Sequence, residues 1–169
     1  LFYTSHHYDI LLSNPYGFQR FNLAEKRKVK PEWDWNKNRA GMSEYWKGGV
    51  VENRDLDCIW PVGLRGLGDA AYNFPKDTTV AGRVALFNQV IKKQISIVKE
   101  TAGNRQNPPA FTLTLWDEVM DIYKNNREIF ELPDDVIIVW SDNMNGQMND
   151  LPEALGKLKH GIYYHLAMY

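Results

Sequence analysis

Apolar positions along the chain fall into two alternating rhythms. Short apolar runs occupy residues 1–5, 59–64, 110–115, 136–140 and 161–165, and each reads as a strand. The run Val136-Ile137-Ile138-Val139-Trp140 is apolar throughout, as a parallel strand covered on both faces is. Between the runs the spacing changes. From Thr78 to Thr101 the apolar residues Val80, Val84, Phe87, Ile91, Ile95 and Val98 keep to one helical face. Asp77 or Thr78 can cap that helix and Gly103 can end it. Further helices are expected after Asn36, carrying Met42, Tyr45, Trp46 and Val50, and over residues 117–126 and 151–159. Gly48-Gly49 works against the first of these, at about 1 kcal/mol per glycine relative to alanine. Residues 13–36 read as a long polar, aromatic loop, and loops of that length are usually functional.

Five strands thus alternate with four helices, which predicts a parallel α/β fold. A closed (β/α)8 barrel takes about 30 residues per unit, so the 169 residues hold about five units, a partial TIM-type barrel. Leu1 is not a methionine and Tyr169 follows directly on an apolar run, so a fragment of a longer chain is expected. A complete doubly wound sheet is the architectural alternative, but Gly66-x-Gly68 is too short for a dinucleotide fingerprint.

Composition narrows the chemistry. Twenty Lys and Arg against 21 Asp and Glu give a net charge of −1, no footprint for a nucleic-acid partner. No apolar run reaches the ~20 residues of a membrane helix. Cys58 stands alone, so an internal disulfide and a cysteine zinc site are out. His6-His7 are neighbours on a strand and point to opposite faces, so no metal is expected there. Asp55-x-Asp57 reads as a turn at a helix end, and residues 26–30 as a solvated basic run or a contact to an acidic polymer. Six Trp and nine Tyr suit a polyhydroxylated ligand, because a ring face stacks while the polar edge hydrogen-bonds, and equally suit a plain aromatic core.

In parallel α/β folds the working residues follow the strands. Here every strand leads into polar residues: Ser5-His6-His7, Arg65 to Asp69, Trp116-Asp117-Glu118, Ser141-Asp142-Asn143 and Tyr163-Tyr164-His165. One such end is a helix cap or a surface loop; five in succession point to one shared site. Paired carboxylates with aromatic walls are what acid/base hydrolysis of a sugar needs. An arginine at the same rim favours an anionic substrate.

The motifs Thr4-Ser5-His6-His7, Ile59 to Asp69 (IWPVGLRGLGD), Leu132-Pro133-Asp134-Asp135-Val136 with Trp140-Ser141-Asp142, and Gly161-Ile162-Tyr163-Tyr164-His165 occur in that order. As a set they resemble glycoside hydrolase family 115, the xylan α-1,2-glucuronidases, across essentially the whole chain. The resemblance implies part of a catalytic (β/α)8 barrel in a longer multidomain chain. It implies an inverting enzyme that releases glucuronic acid, often 4-O-methylated, from glucuronoxylan, with no cofactor. A secreted or periplasmic setting, no nucleic-acid or membrane partner, and room for a homodimer of the full-length protein go with it. Carried over, Asp69, Glu118 and Asp142 are the catalytic carboxylates. Asp69 is taken as acid and Glu118 as base, and Asp142 is able to replace either. Arg65, placed for the uronate or to orient a catalytic carboxylate, joins His165, His7, Asn143 and Tyr164 as substrate contacts. The chain departs from the family pattern after the fourth strand, where Met144 stands in place of a functional asparagine, and after His-His, where Tyr8-Asp9 replaces Glu-Pro. A carbohydrate-binding relative without turnover is therefore the alternative function.

Overall fold

The computed structural model describes residues 32–56, 59–66, 70–103, 108–143, 145–148, 150 and 156–164. The elements in chain order are α1 (Arg39–Asn53), β1 (Ile59–Pro61), α2 (Val80–Thr101), β2 (Ala110–Leu115), α3 (Glu118–Lys124), a 3-10 turn (Arg127–Ile129), β3 (Val136–Ser141) and β4 (Lys159–Tyr163). The four strands form one sheet in the order β1-β2-β3-β4, and every neighbouring pair is parallel. The expected strand over residues 1–5 lies outside the described residues.

Register separates the two faces of the sheet. Trp60 pairs with Phe111, Phe111 with Val136, Leu113 with Ile138, and Leu115 with Trp140. These side chains share one face and are buried with Val84, Phe87, Ile91 and Val98 of α2 and Val119 of α3. The apolar stripe of α2 is the one the spacing predicts, except that Val80, at its first residue, is exposed. On the opposite face lie Pro61, Thr112, Thr114, Val139 and Tyr163.

Several boundaries differ from expectation, each for a local reason. The β1 ladder stops at Pro61, not Leu64. Val62 N–H still reaches the Thr112 carbonyl at 2.8 Å, but Gly63 then turns at φ 132. Gln94 from α2 takes over as a side-chain partner, accepting from Gly63 N–H and donating to its carbonyl, both at 2.8 Å. Helix α2 is capped by Thr79, whose hydroxyl accepts from Gly82 N–H at 3.1 Å, rather than by Asp77 or Thr78. Gly103 sits in the left-handed region at φ 71 just beyond its end, where glycine costs least. Helix α1 runs through Gly48-Gly49 because Met42, Trp46, Gly49 and Val50 are buried on one side, and packing outweighs propensity. The helix expected over 151–159 is corrected at its end: Gly156 is left-handed at φ 63, residues 156–158 turn, and Lys159 opens β4 opposite Ile137. The last strand accordingly runs from Lys159 to Tyr163 rather than over 161–165. Of the long loop, residues 32–36 are described; Asp34 accepts from Asn38 N–H at 2.7 Å in a closed turn that leads into α1.

Candidate active site at the strand ends

Arg65, Glu118 and Asp142 all follow C-terminal strand ends, so the parallel sheet sets them along one edge. The first two meet. Arg65 Nη1 donates to Glu118 Oε2 and lies 3.5 Å from Asp117 Oδ2. The Arg65 side chain is 3% exposed and that of Glu118 18%, whereas Asp117 is 58% exposed. The second oxygen of Glu118 accepts from the Tyr72 backbone N–H at 2.9 Å. Burial pushes the Glu118 carboxyl above the ordinary glutamate range, against the opposite pull of the Tyr72 amide and the Arg65 guanidinium.

The backbone of this corner is tightly closed. Gly66 N–H donates to the Ala70 carbonyl at 2.9 Å. A Cβ on Gly66 would lie 2.5 Å from the Ala71 carbonyl oxygen. The close approach that this glycine allows is to the chain's own backbone. Asp117 is at φ 51, a conformation L-residues adopt at a cost of order 1–3 kcal/mol. It joins the end of β2 to the first residue of α3, and no side-chain cap supports it.

Asp142 is buried beside this edge, its N–H on the Tyr163 carbonyl at 3.2 Å. Asn143 turns its side chain to the following loop: Oδ1 accepts from the N–H groups of Asn145 and Gln147, each at 2.9 Å. The Tyr164 hydroxyl donates to the Gly146 carbonyl of the same loop at 2.8 Å. Both residues thus brace the described part of that loop, residues 143 and 145–147. Trp116 and Tyr163 stand edge to face at the ends of β2 and β4, with ring centroids 6.5 Å apart. Asp69, His7 and His165 lie outside the described residues, as do His6, Met144 and the 26–30 basic run.

Sequence reasoning missed Asp117, Tyr72 and Trp33. Asp117 was visible as part of a polar strand end, but its strained backbone has no sequence signature. Tyr72 contributes a backbone amide. Trp33 donates its indole N–H to the Arg65 carbonyl at 2.9 Å across 32 positions. No group of three or more His, Cys, Asp or Glu able to hold a metal occurs among the described residues. No helix among them is long and apolar enough to cross a membrane.

A family model described as glycosyl hydrolase family 115 matches residues 1–169. Comparison with curated proteins gives no match. Among solved structures, that of BtGH115A, a family GH115 4-O-methyl-α-glucuronidase with specificity for decorated arabinogalactans, is similar. The TM-score is 0.74 at 23% identity, over 86% of this chain and 19% of that one. At that identity the likeness speaks for the parallel α/β fold, and the chain spans about a fifth of that protein's length. With the family model covering every residue, the chain belongs to glycosyl hydrolase family 115.

Proposed function

We propose that this segment is part of one catalytic (β/α)8 barrel in a longer glycoside hydrolase. That enzyme would release glucuronic or 4-O-methylglucuronic acid from a decorated polysaccharide by an inverting mechanism. The observation that carries the reading is the Arg65–Glu118 pair at the C-terminal edge of a parallel sheet, in a chain of this family. Inversion needs a water between the base and the anomeric carbon, with carboxyls about 6.5–9.5 Å apart. Glu118 is the base of this reading. A general base works best with its pKa near the operating pH, and burial moves Glu118 in that direction. Arg65, already engaged by Glu118, orients it. Asp69 supplies the acid, with Asp142 the alternative for either role, and His7 and His165 contact substrate. Trp116 and Tyr163 offer ring faces for a sugar. The polymer substrate is glucuronoxylan, or a decorated arabinogalactan of the kind BtGH115A prefers. A polymeric substrate fits a secreted or periplasmic enzyme.

One observation favours a second reading, a binding relative without turnover: both Glu118 oxygens already accept from protein donors. Glu118→Gln in the full-length protein separates the two. With glucuronate-bearing xylo- and arabinogalacto-oligosaccharides, kcat should fall about 10²–10⁴-fold, with the melting temperature nearly kept. Full activity in that variant removes Glu118 from the mechanism, and wild-type binding without release supports the second reading.

The pH dependence has a definite sign. Activity needs the Glu118 carboxylate, so the acid limb of kcat/KM should lie above the ordinary glutamate range. Because the folded carboxyl is raised, its contribution to stability is present below that ordinary value and lost as pH climbs through the folded one. Relative to Glu118→Gln, the wild type should therefore lose melting temperature over that interval.

A further inference from the structure

Both halves of the Arg65–Glu118 pair are tied to one short segment ahead of α1. Trp33 Nε1–H donates to the Arg65 carbonyl at 2.9 Å. Two residues on, Trp35 N–H donates to the Tyr72 hydroxyl at 3.1 Å, and that hydroxyl donates to Asp34 Oδ1 at 3.4 Å. The backbone N–H of the same Tyr72 holds Glu118 Oε1 at 2.9 Å. From this geometry we propose that Trp33 and Tyr72 are positioning residues for the Glu118 carboxylate, through a strap at residues 33–35 that fixes both members of the ion pair.

The indole N–H anchors the backbone from which the guanidinium springs. The phenol, held at its far end, anchors the amide that occupies one carboxylate oxygen and leaves the other to Arg65. Two donors on separate oxygens set both the position and the plane of the carboxylate. Only the remaining lone pairs stay open to a water or a substrate hydroxyl. The strap is itself seated, with the Trp33 ring edge-on to Tyr45 at 5.1 Å and to Trp46 at 6.2 Å, and Trp35 stacked on Trp46 at 5.3 Å. Rigid mounting of this kind matters because a small misplacement of a catalytic group is costly in rate. Neither residue touches the reacting atoms in this scheme; each acts through Glu118.

The inference rests on Glu118 acting at the site, and its test separates the two claims. In the full-length protein, Trp33→Phe keeps a ring and removes the N–H, and Tyr72→Phe removes the hydroxyl while keeping the amide. Each should lower kcat about ten-fold, the loss expected for one hydrogen bond, with KM little changed. The Glu118-dependent limb of the pH profile should move upward, because the donors that favour the carboxylate are loosened. Combined with Glu118→Gln, either variant should change the residual rate less than about two-fold. Unchanged kcat and pH profile in a variant with native melting overturns the proposal. So does an equal loss on both backgrounds, which marks a purely structural role. Should Trp33→Phe fail to fold, Tyr72→Phe decides alone. Wild-type activity in Glu118→Gln itself removes the base assignment and the strap's function with it.

Discussion

The face of the sheet beneath the helices and the edge where its strands end are held together in different ways. Beneath the helices, Trp60, Phe111, Leu113, Leu115, Ile138 and Trp140 are all buried, and each shares its burial with several neighbours. Its stabilisation is a sum of many small dispersion and burial terms, none of them decisive. At the edge the ladder has ended and polar groups are satisfied one at a time. Gln94 serves Gly63, Trp33 serves the Arg65 carbonyl, Tyr72 N–H serves Glu118, and the Ser141 hydroxyl serves the Leu115 carbonyl. Redundancy in one region and single contacts in the other predict opposite mutational behaviour. The interior should lose stability in proportion to volume and keep its chemistry. The edge should lose chemistry at little cost in stability.

The largest stability effect should come from the interior. Leu113 is fully buried on the central strand β2. Leu113→Ala should cost about 2–5 kcal/mol, the transfer loss plus a cavity, read as a lower urea midpoint. Activity per folded molecule should be unchanged. A parallel fall in kcat would show that packing under β2 sets the rim geometry, and the two regions would no longer be separable.

That division also governs what could be read from sequence. Strand β2 matched its apolar run, and β3 exceeded its run only by Ser141, because burial on both faces keeps charged residues out of a strand and admits only small polar ones such as Thr112 and Thr114. The stripe of α2 was legible for the same reason, but Gln94, buried at 0% exposure on that stripe, was not. Its role depends on Gly63, 31 residues away, and on a turn that no local pattern announces. At residues 156–159 the expected helix fails: Leu158, between Lys157 and Lys159, carries no strand pattern of its own, and the left-handed Gly156 is what turns the chain into β4. At the site, the family resemblance named Arg65 and Glu118, which the fold brings into contact. Asn143 and Tyr164 sit at strand ends as expected, yet their polar atoms brace a loop. Strand-end position is a matter of topology and can be read from alternation. The direction a side chain takes there is a matter of tertiary hydrogen bonding and cannot.

Gln94 is where the comparison can be broken, since it belongs to the interior by burial and to the edge by bonding. Gln94→Leu fits the apolar surroundings but leaves the Gly63 N–H and carbonyl without their partner. A buried group so stranded costs about 1–3 kcal/mol. Gly63 lies two residues before Arg65, so the loss should also relax the guanidinium, and kcat should drop along with the melting temperature. Loss of stability with kcat intact would return Gln94 to the interior class.

Asp117 gives the smallest effect and the sharpest distinction. Its φ of 51 stores strain of order 1–3 kcal/mol, while its contact with Arg65, at 3.5 Å and with the carboxylate 58% exposed, contributes little to stability. Asp117→Ala removes the carboxylate and keeps the Cβ that makes the backbone costly. Asp117→Gly removes both, relieving the strain but adding about 0.4–1 kcal/mol of unfolded-chain entropy. Asp117→Gly should therefore be the more stable of the two by about 1 kcal/mol, a difference visible in paired urea titrations. Activity then tells what the strain is for. Equal losses in both variants mean that the exposed carboxylate beside Arg65 is used in the reaction. A loss confined to Asp117→Gly means that the rigid turn, which delivers Glu118 from the end of β2 into the first turn of α3, is what the strain maintains. No loss in either variant, with the glycine form the more stable, would make Asp117 an edge residue whose strain serves neither chemistry nor stability, and the rule drawn from the edge would fail at its most exposed member.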